Sequence, residues 1–175
     1  MTAGSIRRVR QGSEVLRTTL VLGVGNTLLG DEGAGVHAAR WLGRLAGDRP
    51  GLEFLDGGTL GFTLLPRLEQ HDGLIVFDAA RLGGSPGSVR CFESAAMDEF
   101  LGQPRCSAHE VGLCDLMDMA RLAGHLPRRR ALVGIEPGRV DWIDSPSAAV
   151  GRALDHAARV ALDLLDRWDT AGDAG

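Results

Sequence analysis

The stretch Leu22-Gly23-Val24-Gly25-Asn26-Thr27-Leu28-Leu29-Gly30-Asp31-Glu32-Gly33-Ala34-Gly35-Val36 decides the fold class. An apolar strand runs out there into glycines and two acids, and a helical pattern follows at once. Thr18 to Val24 is a nearly continuous apolar run, the mark of a strand buried on both faces and so of a parallel sheet. Gly23, Gly25 and Gly30 let the chain turn tightly, and Asp31 is available to cap the next helix. Val36, Ala39, Leu42 and Leu45 mark that helix from Gly33 to about Ala46. Carboxylates at the C-terminal end of such a strand stand where open α/β sheets build their sites.

Working outward, Leu52 to Leu55 is a second short strand, closed by Asp56-Gly57-Gly58-Thr59. Phe62, Leu65 and Leu68 predict a helix to about Gln70, with Pro66 kinking or shortening it. Gly73 to Ala79 is a third strand, ending in Asp78. The cluster Gly83-Gly84-Ser85-Pro86-Gly87 is too short for a crossover helix, so the next strand, Ser88 to Phe92, is expected to run antiparallel beside the third. A helix starting near Ala108 precedes a fifth strand, Arg130 to Ile135. The chain closes with a helix from Pro146 to about Arg167, capped by Ser145 with Pro146 at its first position. Its buried stripe is Val150, Ala153, Leu154, Ala157, Ala161 and Leu164. This alternation predicts a three-layer α/β/α domain with a mostly parallel sheet.

At 175 residues the chain suits one domain with a real core, and a monomer is expected. A net charge of -4 supplies no basic surface for a phosphate backbone, so no nucleic acid is expected as partner. All 19 positive side chains are Arg, which excludes Schiff-base lysine chemistry and a Walker lysine. Cys91, Cys106 and Cys114 are odd in number and form no Cys-x-x-Cys pair, which points to a reducing, cytoplasmic setting. Residues 1–17 hold Arg7, Arg8, Arg10 and Arg17 without an apolar core, so they read as a flexible Arg-rich leader rather than a secretory signal. Residues 18–168 then form the domain and 169–175 a frayed tail. No run is long enough to cross a bilayer, so no membrane is expected.

Three strand ends carry acids: Asp31 with Glu32, Asp56, and Asp78. Asp31 and Asp56 have structural readings, as a helix cap and as an acceptor for turn amides. Glu32 and Asp78 have no capping duty. Ser107-x-x-Glu110 is a capping box that explains both its ends but not His109 between them. In the first helical turn the dipole disfavours imidazolium and keeps a nitrogen lone pair available. Two carboxylates and an imidazole would suit nickel, zinc, cobalt or manganese and leave coordination positions open. His37, His71, His125 and His156 read as ordinary residues. A dinucleotide site is disfavoured, because the third glycine of Gly-x-Gly-x-x-Gly is missing and acids at the helix entrance repel pyrophosphate. No Gly-x-Ser-x-Gly elbow supports a serine hydrolase.

Together these pieces resemble the maturation endopeptidases of nickel-iron hydrogenases. The matching motifs are Gly23-x-Gly25-Asn26-x-Leu28-x-x-Asp31-Glu32-x-x-Gly35-Val36, Asp56-Gly57-Gly58-Thr59-x-Gly61, Asp78-Ala79, Ser107-x-His109-x-x-Gly112-Leu113 and Val133-Gly134-Ile135-x-Pro137. The resemblance implies a phosphorylase/hydrolase-like five-stranded mixed sheet in order 2-1-3-5-4, with strand 4 antiparallel. It implies that Glu32, Asp78 and His109 bind metal and carry catalysis, with Asp78 the first candidate for the base and Asp31 and Asp56 supporting. It also implies a peptidase, often classed as aspartic-type, that removes the C-terminal extension of a hydrogenase large-subunit precursor after nickel insertion. The nickel comes with the precursor and serves recognition, with zinc or cadmium as substitutes in vitro. A noncatalytic nickel-binding or chaperone module on the same precursor, and a peptidase like the spore germination proteases, are the alternatives.

Overall fold

A computed structural model describes residues 10–11, 14–15, 17–58, 64–103 and 108–170, with side chains from 17–58, 64–103 and 112–170. Five strands form the main sheet: β1 (Thr19–Val24), β2 (Leu52–Gly58), β3 (Gly73–Ala79), β4 (Val89–Glu93) and β5 (Arg129–Ile135). Their order is 2-1-3-5-4, with β4 antiparallel to β5 and every other pairing parallel. The helices are α1 (Ala34–Ala46), α2 (Leu65–Leu68), α3 (Ala95–Leu101), α4 (Ala108–Leu122) and α5 (Ala148–Thr170). Within the expected leader, Arg10–Gln11 pairs with Glu14–Val15 as a small separate antiparallel ladder. Residues 171–175, the end of the expected tail, lie outside the described residues.

The sheet has one apolar core on each face, because its central strands carry apolar residues on both faces and need cover on both sides. On one face, Val21, Ile75 and Phe77 pack under α1 and the α5 stripe, where Val150, Ala153, Leu154, Ala157, Ala161 and Leu164 are all buried as expected. On the other, Leu20, Leu22, Val24, Leu74 and Val76 pack under Leu113, Leu116, Met117 and Ala120 of α4 and under Met97 and Leu101 of α3. Among the described residues, no helix is long and apolar enough to cross a membrane.

Several local expectations are corrected. β4 runs antiparallel but does not lie beside β3, because β5 is inserted between them. The run Ala131 to Ile135 is buried throughout whereas β4 is only half-buried, so burial places β5 inside and β4 at the edge. The link 80–88 is long enough to step over the intervening strand, about 10 Å across two strand spacings. β2 continues through Asp56-Gly57-Gly58 instead of closing before it. α2 is only four residues long, with Pro66 in its first turn. α3 was not anticipated, although Met97 and Leu101 stand four apart and both are buried. α5 begins two residues later than expected, and its cap is Ser147, whose Oγ accepts the Val150 N–H at 3.4 Å.

Candidate active site

The C-terminal ends of β1, β3 and β5 form one edge of the sheet, and Asp31, Glu32 and Asp78 lie at it or in the turn just beyond. Asp78 is the next-to-last residue of β3, opposite Gly134 of β5, and is 0% exposed. Both of its carboxylate oxygens are buried. Side chains alternate along a strand, so Asp78 shares the face of Leu74 and Val76, the face that α4 covers. A carboxylate buried this way carries a desolvation cost, which its polar or charged neighbours offset.

Glu32 reaches the same edge from the other direction. After β1 the chain makes a 3-10 turn, Gly30–Gly33, which packs against β3. Two glycines make that approach feasible. Gly25 sits at φ +127°, and a Cβ there would lie 1.9 Å from the Glu32 carbonyl oxygen. Gly35, at the start of α1, would place a Cβ 2.2 Å from the Phe77 oxygen and 2.3 Å from the Val24 oxygen. The first turn of α1 is therefore pressed against the ends of β1 and β3, with Glu32 in the turn that leads into it. Glu32 is half-buried, with its Oε2 covered.

His109 is the second residue of α4, and its backbone begins the helix as expected. Its side chain lies outside the described residues, as does Ser107 of the expected capping box. Among the described side chains, no group of three His, Cys, Asp or Glu forms a metal-binding cluster. Glu32 and Asp78 are the two expected ligands whose side chains are described.

The other two acids take separate places. Asp31 does not cap a helix; no side-chain cap bond is formed at the 3-10 turn or at α1. It is fully buried and instead accepts the backbone N–H groups of Gly138 at 2.8 Å, Arg139 at 2.8 Å and Ser147 at 2.5 Å. Burial pushes its carboxyl pKa up, but those three N–H groups outweigh that and hold it below the ordinary value. Asp56 pairs opposite Gly23 and shares a face with Phe54, the α1 side of the sheet. Asp78 faces the opposite side. Asp56 accepts the Gly58 N–H at 3.0 Å, as a turn acid should, and pairs with Arg40 of α1 at 3.3 Å in an exposed position.

Glu136 was not singled out from the sequence, although it is an acid at the end of a parallel strand, the same signal that marked Asp78. Its Oε2 accepts the N–H groups of Leu82 at 2.6 Å and Gly84 at 3.1 Å, which pins the link between β3 and β4. His37, expected to be ordinary, is half-buried on α1. Burial and then the nearby Arg40 charge push its pKa down. Its Nε2 is buried with no hydrogen-bond partner among the described residues.

A profile of the hydrogenase maturation protease family matches residues 36–164. The chain belongs to this family. As a hydrogenase maturation protease it is a peptidase. The hydrogenase expression/formation protein HoxM of Azotobacter vinelandii is 37% identical over 147 residues, which cover 83% of this chain and 71% of that protein. The hydrogenase 2 maturation protease of Escherichia coli (strain K12) is 35% identical over 119 residues, 67% of this chain and 72% of its own. Among solved structures, the hydrogenase maturating endopeptidase HybD from E. coli matches with a TM-score of 0.78 at 31% identity, over 86% of this chain and 93% of that one. The maturation protease HybD from Thermococcus kodakarensis matches with a TM-score of 0.72 at 28% identity, over 84% and 98%.

Proposed function

We propose that this maturation protease is the endopeptidase that removes the C-terminal extension of a nickel-iron hydrogenase large-subunit precursor once nickel has been inserted. The observation that carries the proposal is the burial of Asp78 near the end of β3, the strand against which the 3-10 turn of Glu32 packs, in a chain of this family. Glu32, Asp78 and His109 supply two carboxylates and an imidazole to the nickel that the precursor already holds. Three protein ligands leave positions for the precursor's own donors, so the metal acts as a recognition element belonging to the substrate. Zinc or cadmium would fill the same role in vitro.

Recognition through the metal brings the scissile peptide to the sheet edge and converts an encounter into a positioned reaction. Asp78 then takes a proton from the attacking water, the water oxygen bonds to the peptide carbonyl carbon, and the C–N bond breaks as that proton passes to the departing amine. Asp31 and Asp56 stay outside these steps, Asp31 as a loop anchor and Asp56 as a turn acid. The reaction is assigned to the cytoplasm, which suits Cys91 and Cys114, neither of them in a disulfide.

Mass spectrometry of the precursor, incubated with the protein with and without prior nickel loading, tests the proposal. Loss of a C-terminal fragment only from the loaded sample is the expected result. Asp78→Asn is expected to abolish that cleavage with an unchanged circular dichroism spectrum, and full activity of this variant would remove Asp78 from the mechanism. A nickel-dependent complex without cleavage would identify a binding module instead.

A further inference from the structure

Two loops at the active edge are laced together into a strap. The Asp31 N–H donates to the Arg139 oxygen at 2.9 Å, the Gly30 N–H to the Ile143 oxygen at 2.7 Å and the Ile143 N–H to the Leu28 oxygen at 3.1 Å. Leu29 and Ile143 form a parallel β-bridge. The Asp31 carboxylate fastens the same segment from beneath through its three N–H bonds. Loop segments tied by this many backbone bonds hold one shape and do not collapse onto their own apolar side chains.

That rigidity makes their exposure informative. The residues preceding Leu29 and Ile143 flank that single bridge, one in a turn and the other in a bend. Those residues are Leu28, 56% exposed, and Trp142, 83% exposed. Val140, 53% exposed, follows Arg139 on the same strap. Six large hydrophobic residues are exposed among the described residues, and three of them lie here. Scattered apolar residues need no explanation, but a Trp, a Leu and a Val exposed on one hydrogen-bonded frame have the composition of an interface anchor.

The position of the strap selects its occupant. It is joined by a backbone bond to Asp31, the neighbour of Glu32, so it forms the rim of the active edge. A folded protein substrate seated there buries on the order of 800 Å² of each partner, far more than two carboxylates and an imidazole offer. We infer that Leu28, Val140 and Trp142 form the docking surface for an apolar patch of the hydrogenase large-subunit precursor, outside its extension and independent of its metal. The inference rests on the proposed function for the identity of the substrate. The strap supplies affinity for the folded body while the metal reports that the body is loaded.

The test uses Trp142→Ala and the double variant Leu28→Ala/Trp142→Ala, with Val140→Ser as a second route should the Trp variant fail to fold. Dissociation constants are measured for the metal-free precursor, and kcat and KM for the nickel-loaded one. Expected is a Kd weakened by about 30-fold, a hot-spot-sized loss, and a raised KM with kcat and melting temperature unchanged. Unchanged Kd and KM in the double variant would overturn the docking surface while wild-type cleavage upheld the proposed function. Self-association lost in the variants, with precursor binding intact, would also overturn it in favour of a second copy as occupant. Strap-dependent binding by a wild type that does not cleave would uphold the docking surface and sink the endopeptidase. A wild type that neither binds nor cleaves would overturn both.

Discussion

Asp31 shows how one side chain acquires a role its local sequence does not announce. Its place before a helix favours a cap, yet its carboxylate spans more than a hundred residues to hold the loop that precedes α5. Hydrogen bonds to a charged group are stronger than neutral ones, and their removal leaves buried donors unsatisfied. Asp31→Ala is therefore expected to cost about 3 kcal/mol in urea unfolding. Asp31→Asn should fall between the two, because one amide oxygen can still accept while its NH₂ faces a donor. The pKa of Asp31 is lowered in the folded state, so its contribution is present above the ordinary value of 3.8 and is lost as pH falls through the lowered one.

At the scale of elements, periodicity was a good guide wherever packing agreed with it. The α5 stripe was legible because a helix that covers a sheet must repeat its apolar positions every three or four residues. Leu164, wholly buried in that stripe, is expected to cost about 3 kcal/mol when truncated to Ala, from lost burial and the cavity left behind. Loss of the cap in Ser147→Ala should cost only about 1 kcal/mol, because one exchangeable hydrogen bond is involved. Comparing the two variants by denaturant midpoint checks that α5 is held by packing more than by its start. The placement of β4 was not legible, since a short turn-rich link shows that direction reverses and not which strand lies next door. Burial of Ala131 to Ile135 decides that.

For the whole molecule, acid sensitivity should appear in two steps with the same sign. The His37 pKa is lowered from 6.5 in the fold, so below about pH 6.5 the unfolded chain takes up a proton that the folded chain resists. Stability present above that pH therefore falls as acid is added, and Asp31 adds a second decline at lower pH. Urea midpoints measured across this range should show both, and His37→Gln should flatten the first. A midpoint rising on mild acidification of the wild type would contradict this assignment. Such a decline is compatible with function near neutral pH, where Asp31 keeps the strap and the 3-10 turn of Glu32 in register.

The sequence by itself determined the fold class, the strands and helices of the sheet, the family resemblance and the residues to suspect. Each of these is written in local pattern: apolar runs for buried strands, three-four spacing for helices, glycines where backbones touch, acids at strand ends. The tertiary structure decided which acids share a place. Strand alternation and pairing register turn Asp78 toward α4 and Asp56 toward α1, and two glycines with no room for a Cβ set Glu32 at the mouth of β1 and β3. Long-range closure decided the rest. Asp31 became an anchor, and the segments that carry Leu28 and Trp142 were joined, because the loops after β1 and β5 meet only when β3 is stacked between those strands.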